Sequence, residues 1–189
     1  MADPLVAVLA AGRGSRFGGA KLDADCAGQR LGKWALDAVA AAGLEPGVIV
    51  VGPEAPAFAS AAEGWQLITN PDPAAGQGGS VAIAARAAAG RALLVVLADM
   101  PLVAPQHLRR LARCDGSAAT GYPDGRTGVP ACIAAGAVGQ LEDLSGDRGA
   151  GAVLTGLPAL TVIQADPGSL LDVDDAAGLE RVRAILAAG

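Results

Sequence analysis

Aromatic side chains are scarce in this sequence: two Trp, one Tyr and two Phe make up 3% of its 189 residues. A buried core must therefore be built mainly from Ala, Val, Leu and Ile. Histidine is scarcer still. The single His107 excludes His-rich metal sites, and a Ser–His–Asp arrangement would have to use it. It follows a Pro–Gln step where a surface helix should begin, so a solvent-facing side chain is expected there. The three cysteines, Cys26, Cys114 and Cys132, are odd in number and share no short spacing. That excludes a disulfide framework or a zinc site and leaves buried or half-buried thiols in a reducing cytoplasm. Lys21 and Lys33 are the only lysines, the arginines are scattered, and the net charge is −5. Binding to a nucleic-acid backbone needs clustered cations, so no nucleic-acid partner is expected. No apolar run approaches the roughly 20 residues of a membrane span. The first run, Leu5–Ala11, breaks at Gly12 and has no basic segment before it, so neither a membrane segment nor a signal peptide is expected.

Apolar residues, by contrast, are plentiful. A 52% hydrophobic and 17% charged composition excludes intrinsic disorder, because there is enough apolar surface to offset the entropy of ordering. The length suits one domain over residues 1–189, and no linker, tandem repeat or charge block divides it. Short apolar runs at Leu5–Ala10, Val48–Val51, Gln66–Thr69 and Leu93–Ala98 are bounded by Gly, Pro or Asp and read as buried strands. Helical stretches at Leu31–Ala42, Ala55–Glu63, Val81–Ala89 and Pro105–Arg113 lie between or after them, with Gly43 and Gly90 where glycines end helices. In the second half, strands at Ala118–Gly121 and Val129–Ile133 flank the turn Tyr122-Pro123-Asp124-Gly125. A helix near Ala150–Leu154, a strand at Ala159–Gln164 and a last helix at Ala176–Ala188 follow. The alternation predicts an α/β fold: a three-layer α/β/α domain with a mostly parallel, doubly wound sheet and a short antiparallel element in the second half.

Ligands of such sheets bind at the carboxyl ends of the strands, which directs attention to four loops: 11–21, 52–54, 70–80 and 99–103. The first is the richest. Gly12, Gly14, Gly18 and Gly19 let backbone N–H groups approach a ligand closely, and Arg13, Arg16 and Lys21 add positive charge. Such a turn suits a polyphosphate. It is not the dinucleotide fingerprint, because Phe17 stands where the third Gly of G-x-G-x-x-G belongs. It is not the P-loop either, because Ala20 stands where G-x-x-x-x-G-K needs Lys. A nicotinamide reductase also wants an acidic residue ending the second strand. Here Val51-Gly52-Pro53 stands there, and Glu54 comes only after the Pro.

The segment Leu9-Ala10-Ala11-Gly12-x-Gly14-x-Arg16-x-Gly18-x-x-Lys21 resembles the signature loop of the MobA-like NTP transferases, with their nucleotide-diphospho-sugar-transferase-like fold. Leu97-Ala98-Asp99-Met100-Pro101 resembles the family's second motif, an Asp at a strand end. Asn70-Pro71 with Gly76-Gln77-Gly78-Gly79-Ser80 resembles the turn of the molybdenum cofactor cytidylyltransferase branch, although Ser80 can equally be a helix cap. Leu171-Asp172-Val173-Asp174-Asp175 resembles the acidic segment before the family's last helix, and Gly146-Asp147-Arg148-Gly149-Ala150 a loop facing the acceptor. The resemblance spans nearly the whole chain. Val129, Gly151, Asp23 and Asp25 depart from the branch's pattern.

What the resemblance implies is transfer of CMP from CTP to a phosphorylated acceptor of molybdopterin type, with release of pyrophosphate. Leu9, Ala10, Ala11, Gly12, Gly14, Ser15, Arg16, Lys21, Asn70, Gly76, Gln77 and Ser80 would bind the nucleotide. Arg16, Lys21 and Asp99 would be catalytic. Asp99 would share a Mg²⁺ with Asp174, or failing that with Asp172, while Asp175 caps the last helix. Asp147 and Arg148 would meet the acceptor. No tightly bound organic cofactor is implied, and a molybdoenzyme would be a transient partner. The alternatives are GTP or another NTP within the same chemistry, an NAD(P)H-dependent reductase like the nicotine blue oxidoreductases, and a non-catalytic carrier of cofactor.

Overall fold

A computed structural model of the chain describes residues 3–12, 17, 19–146, 150–157, 159–166 and 168–188. Seven strands form one sheet: β1 (Leu5–Ala10), β4 (Val48–Val51), β5 (Gln66–Thr69), β6 (Leu93–Leu97), β7 (Ser117–Gly121), β8 (Thr127–Ile133) and β9 (Leu160–Gln164), in the order β5-β4-β1-β6-β8-β7-β9. β8 runs against both of its neighbours, and every other pairing is parallel. The mostly parallel sheet and the antiparallel element of the second half are thus both present.

Alternation along β1 builds the two faces. Val6, Val8 and Ala10 enter one buried cluster, and Ala7 and Leu9 the other, because successive strand side chains point to opposite sides. Helices α1 (Lys33–Ala41), α4 (Pro105–Ala112) and α7 (Ala176–Ala188) cover the first face, while α3 (Gln77–Ala88), α5 (Ala135–Val138) and α6 (Ala150–Leu154) cover the second. Both clusters are mainly Ala, Val, Leu and Ile, as the scarcity of aromatics requires. Among the described residues no helix is long and apolar enough to cross a membrane.

Several boundaries moved, each for a local reason. The helix expected over Ala55–Glu63 is the short α2 (Ala57–Ser60), preceded by Pro56 in an extended conformation. The helix expected from Val81 begins at Gln77. Gly78, Gly79 and Ser80 are poor helix formers, but tertiary bonds hold that first turn: Gly78 N–H donates to Gly146 O at 2.9 Å, and Asn70 donates to Ser80 at 3.0 Å. Before α1 the chain forms a small hairpin that the sequence reading left out, β2 (Asp25–Cys26) against β3 (Gln29–Arg30). Asp175 does cap α7, accepting from Gly178 N–H at 2.7 Å. Cys26 and Cys132 are buried, Cys114 is half-buried, and all three are free thiols.

The close approach of β1 and β4 depends on Gly47, just before β4. A Cβ there would run into the backbone carbonyl of Val6, which belongs to a central strand and cannot move aside. Gly47→Ala should therefore cost about 3 kcal/mol of stability, read as a lower urea midpoint at unchanged slope.

His107 is the clear correction. It is buried, not solvent-facing. It lies on the inner side of α4 with Leu108 and Leu111, and its Nε2 is 2.8 Å from the Thr120 hydroxyl. That hydroxyl gives its proton to Pro130 O at 2.6 Å, so Nε2–H must be the donor. Among the described residues the buried Nδ1 has no hydrogen-bond partner. Burial first, and then the Arg110 charge, push the imidazole below its ordinary value of 6.5, while Asp166 opposes this. The unfolded chain then binds a proton before the native protein does. The stability due to neutral His107 is intact above pH 6.5 and is lost as pH falls from there through the lower native value. Urea midpoints measured across that window should decline in the wild type and stay flatter in His107→Gln.

Candidate active site

The carboxyl ends of β1, β4 and β6 open on one side of the sheet, where the parallel topology places a cleft of about 780 Å³. Its floor is Ala10-Ala11-Gly12, one wall is Gly19–Asp23, and the facing wall is Gly52–Pro56 with Pro73. This is ample for a nucleotide, since small-molecule sites commonly enclose roughly 300–1,000 Å³.

Lys21 and Asp99 meet at this end of the sheet. Lys21 starts a 3-10 turn over Lys21–Asp23, immediately after the glycine-rich loop. Its side chain is only 9% exposed, and its Nζ donates to Asp99 Oδ2 at 2.8 Å. Asp99 follows β6, and its backbone carbonyl accepts from Val173 N–H at 2.9 Å. That bond brings the Asp172–Asp174 segment against the end of β6. Val173 is fully buried, while Asp172 and Asp174 are exposed on either side of it.

Tyr122, at the tip of the β7–β8 hairpin, reports which carboxylates are close. Burial pushes its phenol above the ordinary value of 10.0, followed by the Asp172 charge, with Asp124 and Asp99 adding smaller pushes against Arg126. The phenol donates to Val129 O at 2.5 Å, and the Arg126 guanidinium lies 5.7 Å from its ring centre. Asp99 and Asp172 thus both act on this phenol. Two carboxylates suit a hard divalent ion that takes its other oxygens from phosphates and water. Among the described residues no set of three potential metal ligands occurs, so such an ion would depend on the substrate to complete its shell.

The other sequence-derived residues divide. Ala10, Ala11, Gly12 and Lys21 line the cleft, and Leu9 is buried beneath it. Asn70 and Ser80 are buried and bonded to each other, and Asn70 Oδ1 accepts from Asp72 N–H at 3.0 Å. Their side chains hold the turn before α3 and do not line the cleft. Gly76, with φ at 103°, adopts a backbone that favours glycine and starts α3, and Gln77 is exposed. Gly14, Ser15, Arg16, Asp147 and Arg148 lie outside the described residues. Two features went unassigned in the sequence. One is the Gly52–Pro56 wall, although its position after β4 was a signal. The other is Tyr122, which composition alone could not single out.

The profile of the MobA-like NTP transferase domain matches residues 6–162, from β1 through the middle of β9. None of the curated proteins matches the chain. Among solved structures, Rv0371c from Mycobacterium tuberculosis H37Rv is 26% identical with a TM-score of 0.82, over 97% of this chain and 100% of that one. The same protein in complex with manganese is 25% identical with a TM-score of 0.79, over 97% of this chain and 99% of that one. A nucleotidyl transferase from Methanothermobacter thermautotroptrophicus is 24% identical with a TM-score of 0.82, over 100% of both chains.

Proposed function

The chain belongs to the MobA-like NTP transferase family, and from that premise we propose that it moves CMP from CTP to a phosphorylated acceptor of molybdopterin type. The observation that carries this reading is the partly buried Lys21–Asp99 contact at 2.8 Å beside a cleft of nucleotide size. An ammonium on a carboxylate at the mouth of a parallel sheet is suited to a polyphosphate, which would compete for Lys21 and bring a divalent ion to Asp99. The preference for CTP is supported by the likeness of the Asn70–Ser80 segment to the cytidylyltransferase turn. The acceptor is supported by the likeness of the 146–150 loop.

In this reading an acceptor phosphate oxygen attacks the α-phosphorus. The bond from the α-phosphorus to the bridging oxygen breaks, and pyrophosphate leaves with that oxygen. No covalent enzyme intermediate is required, so the protein contributes position and charge. Backbone N–H groups after β1, from Gly12 onward to Gly14 and Ser15, hold phosphate oxygens. Lys21 and Arg16 neutralise charge on the leaving pyrophosphate. Asp99, with Asp174 or failing that Asp172, would hold Mg²⁺, whose chemistry is to polarise the α-phosphate. That the mycobacterial protein forms a complex with manganese supports the use of a divalent ion. Arg148 meets the anionic acceptor.

The test is pyrophosphate release from CTP, GTP and ATP, each with Mg²⁺ and a molybdopterin-type acceptor, with NADPH oxidation followed in parallel. Release with CTP alone is expected. Release with GTP alone would move the base assignment, and NADPH oxidation with no pyrophosphate from any nucleotide would overturn the transferase reading.

A further inference from the structure

The turn that carries Lys21 is held from two sides. Lys21 opens it and Asp23 closes it. Successive side chains of a 3-10 helix point about 120° apart, so these two leave the turn in different directions. Lys21 reaches Asp99 at the end of β6. Asp23 reaches the opposite wall of the cleft. Its Oδ2 accepts from Ala57 N–H at 2.7 Å and its Oδ1 from Phe58 N–H at 2.8 Å. Arg30 Nε lies 3.6 Å from the same carboxylate.

These N–H groups are the first two of α2, whose preceding residue is Pro56 and which has no side-chain cap of its own. Helix starts leave such N–H groups without partners, and an acidic side chain satisfies them well. That acceptor ordinarily comes from the residue just before the helix. Here it comes from 34 and 35 positions away, across the cleft that Asp23, Lys21 and Pro56 all line. The backbone bonds of the turn lead elsewhere: Gly32 N–H to Leu22 O and Leu31 N–H to Ala24 O, both at 2.9 Å, tie it to its own hairpin and not to the far wall. Asp23 is also one of the positions at which this chain departs from the pattern it otherwise resembles.

We propose that Asp23 is a positioning residue for nucleotide binding: by joining the Lys21 turn to the first N–H groups of α2, it sets the distance between the Lys21 ammonium and the Gly52–Pro56 wall. This rests on the reading of the cleft as a nucleotide site. Asp23 touches no reacting atom; it acts through Lys21 and through the width of the cleft.

A double-mutant cycle separates this from a plain helix cap. Calorimetric titration with Mg²⁺–CTP and Mg²⁺–GTP identifies the tighter nucleotide for the wild type. That nucleotide is then titrated into Asp23→Ala, Asp23→Asn, Lys21→Met and the Asp23→Ala/Lys21→Met double variant, all well below their melting transitions. Asp23→Ala should weaken binding about tenfold, since small displacements of a binding group carry losses of that order or more. Asp23→Asn should lose less, because its amide oxygen can still accept one N–H. In the Lys21→Met background, the further change to Ala at 23 should have little effect, since residues acting as a unit are not additive. A plain cap would lower the melting temperature and leave affinity unchanged, which would overturn the proposal. So would an equal loss in both backgrounds. If Asp23→Ala does not fold, wild-type affinity in a folded Asp23→Asn overturns it as well. If the wild type binds neither nucleotide, the reading of the cleft itself fails, and the role of Asp23 falls with it.

Discussion

Asp99→Asn should abolish nearly all turnover while leaving a folded protein. Asn keeps an oxygen that can accept the hydrogen bond now made by Lys21 at 2.8 Å, so Lys21, 9% exposed, is not left without a partner. What disappears is the negative charge that would hold a divalent ion against the substrate phosphates. Charge stabilisation of that kind is worth several kcal/mol, and about 4 kcal/mol corresponds to about 10³ in rate. A fall of about a thousandfold or more in kcat is expected, with a near-normal melting temperature. Asp99→Ala should lose as much activity and also some stability, because removing one partner of a partly buried ion pair strands the other. Initial rates of pyrophosphate release and a thermal melt on the same preparations separate the two variants. Turnover near wild type in Asp99→Asn would remove Asp99 from the chemistry.

Lys21→Met should have the next largest effect. Met fills the space of the aliphatic stem and removes only the ammonium, so the turn over Lys21–Asp23 and its packing should persist. A single positioned charge on a leaving phosphate contributes about 10² to 10³ in rate. The loss is expected in both kcat and kcat/KM, because the charge on pyrophosphate grows as its bond to the α-phosphorus breaks, so the contact strengthens in the transition state. A rise in KM alone would mean that Lys21 binds ground-state and transition-state charge equally. An unchanged kcat/KM would take it out of the site.

The strands were readable because parallel strands are short, β-branched and sharply bounded; Val48–Val51 falls where its composition puts it and is buried, whereas Gln66–Thr69 has the expected bounds but is largely exposed, because it forms an edge of the sheet. Of the first loop, Gly12 and Lys21 line the cleft, where a glycine and a cation after a first strand were expected to face a ligand, while residues 13–16 and 18 lie outside those described. What could not be read depended on partners distant in sequence. Nothing near α3 indicates that Gly146 accepts from Gly78, so the helix start was placed four residues late, at Val81 and not Gln77. Nothing near His107 indicates that Thr120 will face it, so the local sequence of a short helix points to exposure where the fold buries the ring. Asp23 stood out only as a mismatch, since its partners are backbone N–H groups, which carry no mark in the sequence.

The most direct test of nucleotidyl transfer follows the two ends of one nucleotide. CTP labelled at the α-phosphorus and CTP labelled at the γ-phosphorus are each incubated with the protein, Mg²⁺ and a molybdopterin-type acceptor. Transfer of CMP predicts the α-label on the acceptor and the γ-label in pyrophosphate, in equal amounts and lost together in Asp99→Asn. A γ-label recovered on the acceptor or as inorganic phosphate, with no α-label on the acceptor, would contradict it.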